Sequence, residues 1–239
     1  FVFLHFANLN LEDLRSEFLN HIISNNFSKH LFLTFCFVIL INGSNFIDGL
    51  NGLNLGYFLL IFLALLLLNF KGDIYIEQNK VLLLIIPIIF LLIMNFFNYL
   101  YLGDSGAYLI GFLSGILLVE INYLNLQISP YFIALLLWYP AFENLFSIIR
   151  KRIIKDDPFK PDNNHFHQLL FNYLKKNNNN FIKKFSNVLS SILIIFYNLI
   201  IFFIGLNFTN HTKILLLLIS INIFVYLVLY FILKKKISA

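Results

Sequence analysis

The sequence predicts an all-α, polytopic membrane protein with about seven transmembrane helices. Two observations carry this. Hydrophobic residues make up 59% of the 239-residue chain and charged residues only 12%, where soluble domains carry roughly 25%. The apolar residues also fall in several unbroken runs of roughly 20, the length that crosses a bilayer as a helix.

Residues 1–30 are mixed, with Glu12, Asp13, Arg15 and Glu17 clustered. They read as a surface or linker segment lying on the membrane. His5, His21 and His30 have no ligand-like spacing and read as surface residues. Residues 31–239 then form one transmembrane helical domain. Its spans are expected at about 31–47, 53–70, 81–101, 106–126, 129–148, 188–206 and 213–233. Pro87 is placed to kink the third. Pro130 opens the fifth, where the first helical turn tolerates proline. Cys36 is the only cysteine, so an intrachain disulfide is excluded, and it reads as a small buried hydrophobe. The 30 Phe and the abundant Ile, Asn and Lys read as compositional drift, and Asn177 to Asn180 as a flexible loop. The chain opens on Phe1 with no charged signal-peptide region, so it is expected to be N-terminally truncated.

The basic connection at about 149–187 fixes the orientation. It holds Arg150, Lys151, Arg152, Lys155, Lys160, Lys175, Lys176, Lys183 and Lys184 against Asp156, Asp157 and Asp162, and the tail ends in Lys234, Lys235 and Lys236. The positive-inside rule makes both cytoplasmic, and two spans separate them, so the count agrees with itself. Span parity then carries the loops at 102–106 and 48–52 to the same cytoplasmic face. The net charge of +5 reports topology, and no nucleic-acid partner is expected.

Three polar stretches share that face. The first, Asn42 to Gly56, reads NGSNFIDGLNGLNLG and puts four asparagines and an aspartate between apolar runs. On a helix Asn42, Asn45 and Asp48 step by about 60° around one face. Polar groups so placed mark function, or a polar patch where helices pack. In the second, Gly103-Asp104-Ser105-Gly106, Asp104 suits a Mg²⁺ ion shared with substrate phosphates, while the same residues make a tight turn. The third runs from Glu143 and Asn144 through Arg150 and Arg152 to His165 and His167. Two imidazoles with nearby arginines could hold phosphate or a base edge, and a basic loop also meets anionic lipid headgroups. Together they make a kit for phosphoryl chemistry on a Mg²⁺-bound diphosphate.

These stretches resemble the polyprenyl-phosphate N-acetylhexosamine-1-phosphate transferases of glycosyltransferase family 4. Asn42-x-x-Asn45-x-x-Asp48-Gly49-Leu50-Asn51-Gly52 is similar to that family's NxxNxxDGxxGL stretch, and Leu102-Gly103-Asp104-Ser105-Gly106 to its FxGDxG stretch. Pro140-x-x-Glu143 followed by Arg150 resembles its proline–acid–arginine pattern, and Pro161-Asp162-x-x-His165-Phe166-His167 its PDxxHxHH stretch. All four occur in family order. The resemblance implies transfer of a sugar-1-phosphate from a UDP-N-acetylhexosamine to undecaprenyl phosphate in the bacterial cytoplasmic (inner) membrane, releasing UMP. It implies Mg²⁺, with Mn²⁺ as a substitute, held by Asp104 and Asp48. Asp48, Asp104 and His165 are then the catalytic set. Asn42, Asn45, Asn51, Arg150, Arg152 and His167 bind substrate. The whole protein would work among membrane lipids at the start of lipopolysaccharide or cell-wall polymer synthesis, and a homodimer is compatible with it.

Three departures qualify the resemblance. The family's earlier Asp-Asp pair has no counterpart, and Glu12-Asp13 falls on the wrong face; a missing N-terminus of about three spans is expected to carry the pair. Asn51 stands where many members have aspartate, and Gln168 replaces the last histidine. These point away from the muramoyl-pentapeptide branch and toward the O-antigen, capsule and teichoic-acid branch. A transporter or flippase, or an inactive relative that binds polyprenyl lipid, are the competing readings; the first of these lacks the internal repeats it would show. Cysteines introduced as Asn51→Cys, Ser105→Cys and Asn163→Cys are expected to react with an impermeant label from the cytoplasmic side only. Labelling of any one from outside breaks the topology.

Overall fold

The computed structural model describes residues 11–153 and 164–238, and among these residues there are helices and no strands. In chain order the helices are α1 (Glu17–Ile22), α2 (Asn26–Ile47), α3 (Leu53–Phe70), α4 (Gln78–Phe96) and α5 (Gly103–Leu124). Then come α6 (Pro130–Leu136), α7 (Trp138–Ile153), α8 (Phe166–Lys175), α9 (Asn180–Lys184), α10 (Ser186–Gly205) and α11 (Thr212–Ser238). Six of them, α2 to α5, α10 and α11, are long and apolar enough to cross a membrane, and α6 with α7, bent by 73°, makes a seventh where the pair is counted as one span. Leu83, Phe90, Phe196 and Phe224 point outward from these spans, as side chains facing hydrocarbon do.

The span expected at 53–70 coincides with α3, and the others shift by a few residues. The largest shift at a start is in α2, which begins at Asn26 rather than 31 because Asn25 caps it, its side chain accepting from the Ser28 amide at 2.8 Å. The span expected at 129–148 is not one straight helix. Pro140 has no amide to offer the Leu136 carbonyl four residues earlier, and the chain turns at Leu137. The freed Leu136 carbonyl accepts from the Tyr57 hydroxyl at 2.9 Å, and Tyr57 is fully buried. Pro87, in contrast, sits inside an unbroken α4.

Helix α2 is central, packed along both α5 and α7. Two contacts require small residues. A Cβ on Gly43 would lie 2.2 Å from the Pro140 carbonyl oxygen, and one on Gly111 would lie 2.9 Å from Ser44 Cβ. Polar side chains pin the same seams: Ser44 Oγ donates to the Ala107 carbonyl at 2.7 Å, and Asn144 donates to the Ile39 carbonyl at 3.0 Å. Helices α10 and α11 complete the bundle, both resting on α8.

Two sequence expectations change here. His30 is buried, its Nδ1 2.6 Å from the Asn26 carbonyl one turn back, so it is not a surface residue. Cys36 faces outward, where the surrounding lipid is as apolar as a protein core. The segment before α2 is anchored: Leu11, Leu14 and Ile23 are buried with Leu33 and Phe37. Arg15 donates to the carbonyls of Leu126 (3.2 Å), Gln127 (2.6 Å) and Asn210 (2.8 Å), tying that segment to two other loops.

Replacing Tyr57 by Phe strands the Leu136 carbonyl in a dry interior. We expect Tyr57→Phe to cost about 1–3 kcal/mol, seen as a lower unfolding midpoint in detergent with unchanged helix content. An unchanged midpoint would show that the bend does not rely on this bond.

Candidate functional site

Five chain segments meet at the end of the bundle opposite the Arg15 tie: the last turn of α2, the loop into α3, the first turn of α5, the middle of α7, and the start of α8. Their meeting is recorded in contacts. The Phe46 ring of α2 lies 5.0 Å from the His165 ring. A Cβ on Gly49 would lie 2.6 Å from His167 Nε2. Asn45 Nδ2 donates to the Tyr108 hydroxyl of α5 at 2.9 Å. Glu12 and Asp13, beside Arg15, lie at the other end.

Asp48 caps the C-terminus of α2, half-buried. Burial, and then the charge of nearby Asp104, push its carboxyl up to about 7. Asp104 is exposed in the first turn of α5, where the helix N-terminus favours a negative charge. Among the described residues no donor reaches either carboxylate. Both carboxylates are thus uncommitted, with Asp104 near enough for its charge to act on Asp48, an arrangement that a hard cation stabilises. Among the described residues no three His, Cys, Asp or Glu converge into a metal cage. Two carboxylate donors, with substrate oxygens and water completing the shell, is the way proteins usually hold Mg²⁺.

Among the described residues Glu143 is the deepest of the acidic groups, 1% exposed. Its Oε1 lies 3.0 Å from His165 Nδ1 and accepts from the Phe166 amide at 3.1 Å; its Oε2 accepts from the Tyr226 hydroxyl at 2.9 Å. Gln168 Oε1 accepts from the His165 amide at 3.3 Å, holding the start of α8. His167 stacks on His165, ring centroids 5.7 Å apart and 13° from parallel. It is fully buried, and among the described residues neither of its ring nitrogens has a hydrogen-bond partner. Burial, aided by the neighbouring His165 and partly offset by Glu143, pushes His167 down to about 4, so it is a neutral imidazole at neutral pH.

The remaining expected site residues are placed as follows. Asn42 turns back along its own helix, donating to the Val38 carbonyl at 2.8 Å. Asn51 pins the loop: its amide donates to Asn187 Oδ1 at 2.8 Å and its Nδ2 to Asn98 Oδ1 at 2.6 Å. Arg150 is buried on α7 with Nη2 3.3 Å from Ser147 Oγ, and Arg152 is exposed two residues on. Pro161 and Asp162, part of the histidine stretch, lie outside the described residues. Glu143 carried no assigned role in the sequence reading, although the proline–acid spacing marked its position. Tyr226 left no signal at all, being one aromatic in an apolar span.

The model of glycosyl transferase family 4 matches residues 1–122, just over half the chain; the match includes Asp48 and Asp104 and stops before Glu143. An undecaprenyl-phosphate alpha-N-acetylglucosaminyl 1-phosphate transferase of Thermotoga maritima is 27% identical over 146 residues, which cover 58% of this chain and 42% of that relative. The aligned chain thus spans less than half of the relative's length. No solved structure matches.

A methyl group on Gly49 would drive into a histidine ring that is packed on every side. Gly49→Ala is expected to displace His167 and lower any activity of the site by about tenfold or more, with membrane insertion intact. Unchanged activity would mean that His167 need not stay where it is.

Proposed function

Because the chain belongs to glycosyl transferase family 4, we propose that the protein transfers N-acetylhexosamine-1-phosphate from a UDP-N-acetylhexosamine to undecaprenyl phosphate. UMP is released, in the first membrane step of a cell-envelope polysaccharide such as lipopolysaccharide. The observation that best supports this reading is the convergence of Asp48 and Asp104 with the buried Glu143–His165 pair at one bundle end. In the proposed orientation that end faces the cytoplasm of a bacterium, where nucleotide sugars are made, and the spans reach the lipid acceptor. The relative named above for undecaprenyl phosphate supports the choice of acceptor.

In the proposed reaction an oxygen of the acceptor phosphate attacks the phosphorus that carries the sugar. The bond from that phosphorus to the bridging oxygen breaks, and UMP leaves with that oxygen and its electron pair. The acceptor phosphate is already largely ionised at neutral pH, so no strong general base is required. Asp48 and Asp104 would hold Mg²⁺, or Mn²⁺ in its place, which supplies positive charge against the diphosphate. Asp48 and Asp104 offer oxygen donors only, the type this ion prefers. His165, oriented by Glu143, would present Nε2 to the donor, and neutral His167, stacked on that ring, would back it without adding charge. Arg150 and Arg152, at the end of α7, would attract the phosphates.

UMP release from the whole protein in membranes, supplied with undecaprenyl phosphate, Mg²⁺ and each UDP-N-acetylhexosamine in turn, tests the reading. Asp48→Asn and Asp104→Asn are each expected to lower the rate by roughly 100-fold or more, at unchanged membrane content. Full activity in either variant removes that residue from the mechanism. No release from the unaltered protein with any of these donors replaces the reading with that of an inactive, lipid-binding relative.

A further inference from the structure

We propose that Tyr226, on the last helix, is a positioning residue of this site: its hydroxyl fixes Glu143, and Glu143 fixes the ring orientation and tautomer of His165. The inference rests on the function proposed above for its kinetic consequence but not for its geometry.

The two oxygens of Glu143 are divided between two sides of the site. Oε1 serves the start of α8, through His165 Nδ1 and the Phe166 amide; Oε2 serves α11, through the Tyr226 hydroxyl at 2.9 Å. A carboxylate offers only lone pairs. His165 Nδ1 must therefore carry the proton, which leaves the lone pair of a neutral ring on Nε2. Without a donor on Oε2, the carboxylate is free to rotate about its last torsion, which is broad and roughly two-fold. Rotation exchanges the oxygen that His165 meets and loosens the ring.

The setting of Tyr226 is that of a fixed donor rather than a space-filler. Its ring is held by Phe142 (centroids 5.0 Å), Phe146 (5.5 Å) and Phe166 (5.0 Å), and it stacks on Tyr230 of its own helix at 6.1 Å. Phe142 and Phe146 belong to α7 and flank Glu143 in sequence, so one helix supplies both the acceptor and the walls that aim the donor. Phe alone would fill the same box. The hydroxyl is the part that meets the carboxylate, in an interior where a charged group needs every donor it can reach. Helix α11 lies beyond the residues that match the family, so the site takes a component from the part of the chain that the family match does not cover.

The decisive comparison is Tyr226→Phe against Glu143→Gln and the double variant, all in the whole protein. Nitrogen-15 spectra of labelled histidine, with His165 assigned by its loss in His165→Gln, report the tautomer directly. In the unaltered protein His165 should be protonated at Nδ1; Tyr226→Phe should move its resonances toward a tautomer mixture with helix content unchanged. UMP-release kcat should fall roughly 10- to 100-fold, the usual range for losing a partner behind an active side chain, with KM little changed. The double variant should be no slower than Glu143→Gln alone, because Tyr226 acts through Glu143. His165 resonances unmoved by Tyr226→Phe, or losses that multiply in the double variant, overturn the proposal. If the resonances move but no variant and no unaltered protein releases UMP, the positioning role stands and the function proposed above falls.

Discussion

The bond from the Tyr57 hydroxyl to the Leu136 carbonyl sets the course of everything at the functional end of the bundle. A helix cannot turn by 73° inside a membrane unless the backbone groups it exposes find partners, since lipid offers none. Pro140 frees the carbonyl; Tyr57, buried on α3, takes it. With that settled, α7 can leave the line of α6, press the Pro140 carbonyl against Gly43, and carry Glu143 beside α2 and the start of α8. A straight fifth span would give Glu143 a different neighbourhood.

The rest of the interior follows the same constraint. Asparagine, which in the sequence reads as drift, is the residue that ties loops and helices together. Asn144 reaches the Ile39 carbonyl across a helix pair. Asn95 accepts from the Gly52 amide, and Asn187 from the Asn51 amide, so two different helices hold the loop after Asp48. Asn125 spans both backbone groups of Tyr75 at the opposite end, and Asn198 accepts from the Trp138 indole at the bend. A short amide that donates and accepts at once suits a setting where unpaired backbone groups cost several kcal/mol, on the order of those in an apolar solvent.

This explains which parts were legible in the sequence. The all-α, multi-pass architecture was, because hydrophobic length alone specifies it. The gathering of Asp48, Asp104 and His165 was, because charge asymmetry and span parity send their loops to one face before any contact is known. The bend was not: Pro140 was visible, but hydropathy cannot tell a kink that finds a partner from one that does not, and the partner is 79 residues... away along the chain, on α3. The buried state of His30 and the outward face of Cys36 were also hidden, since within a span a residue's type does not say which side meets protein. Tyr226 was the least legible, a lone hydroxyl among apolar neighbours whose meaning depends on a carboxylate 83 residues earlier.

Glu143 and Asp48 show how one chemical group is given two uses. Both are carboxylates at the same end of the bundle, and both lose much of their water. Glu143 is surrounded by three donors, His165, Phe166 and Tyr226, so its charge is spent on holding protein together. Asp48 receives no donor among the described residues, and burial, with the charge of Asp104 adding to it, holds its proton up to about 7. A protein that needed Asp48 only for packing would have supplied it with donors, as it did for Glu143 with neighbours from α8 and α11. Leaving it unsupplied beside Asp104 costs stability, a cost that the Mg²⁺ of the proposed reaction would offset. His167 is a second such group, its ring nitrogens without a hydrogen-bond partner among the described residues and its ring against Gly49. Beside them Glu143, supplied with three donors, holds the ring of His165 on which His167 stacks.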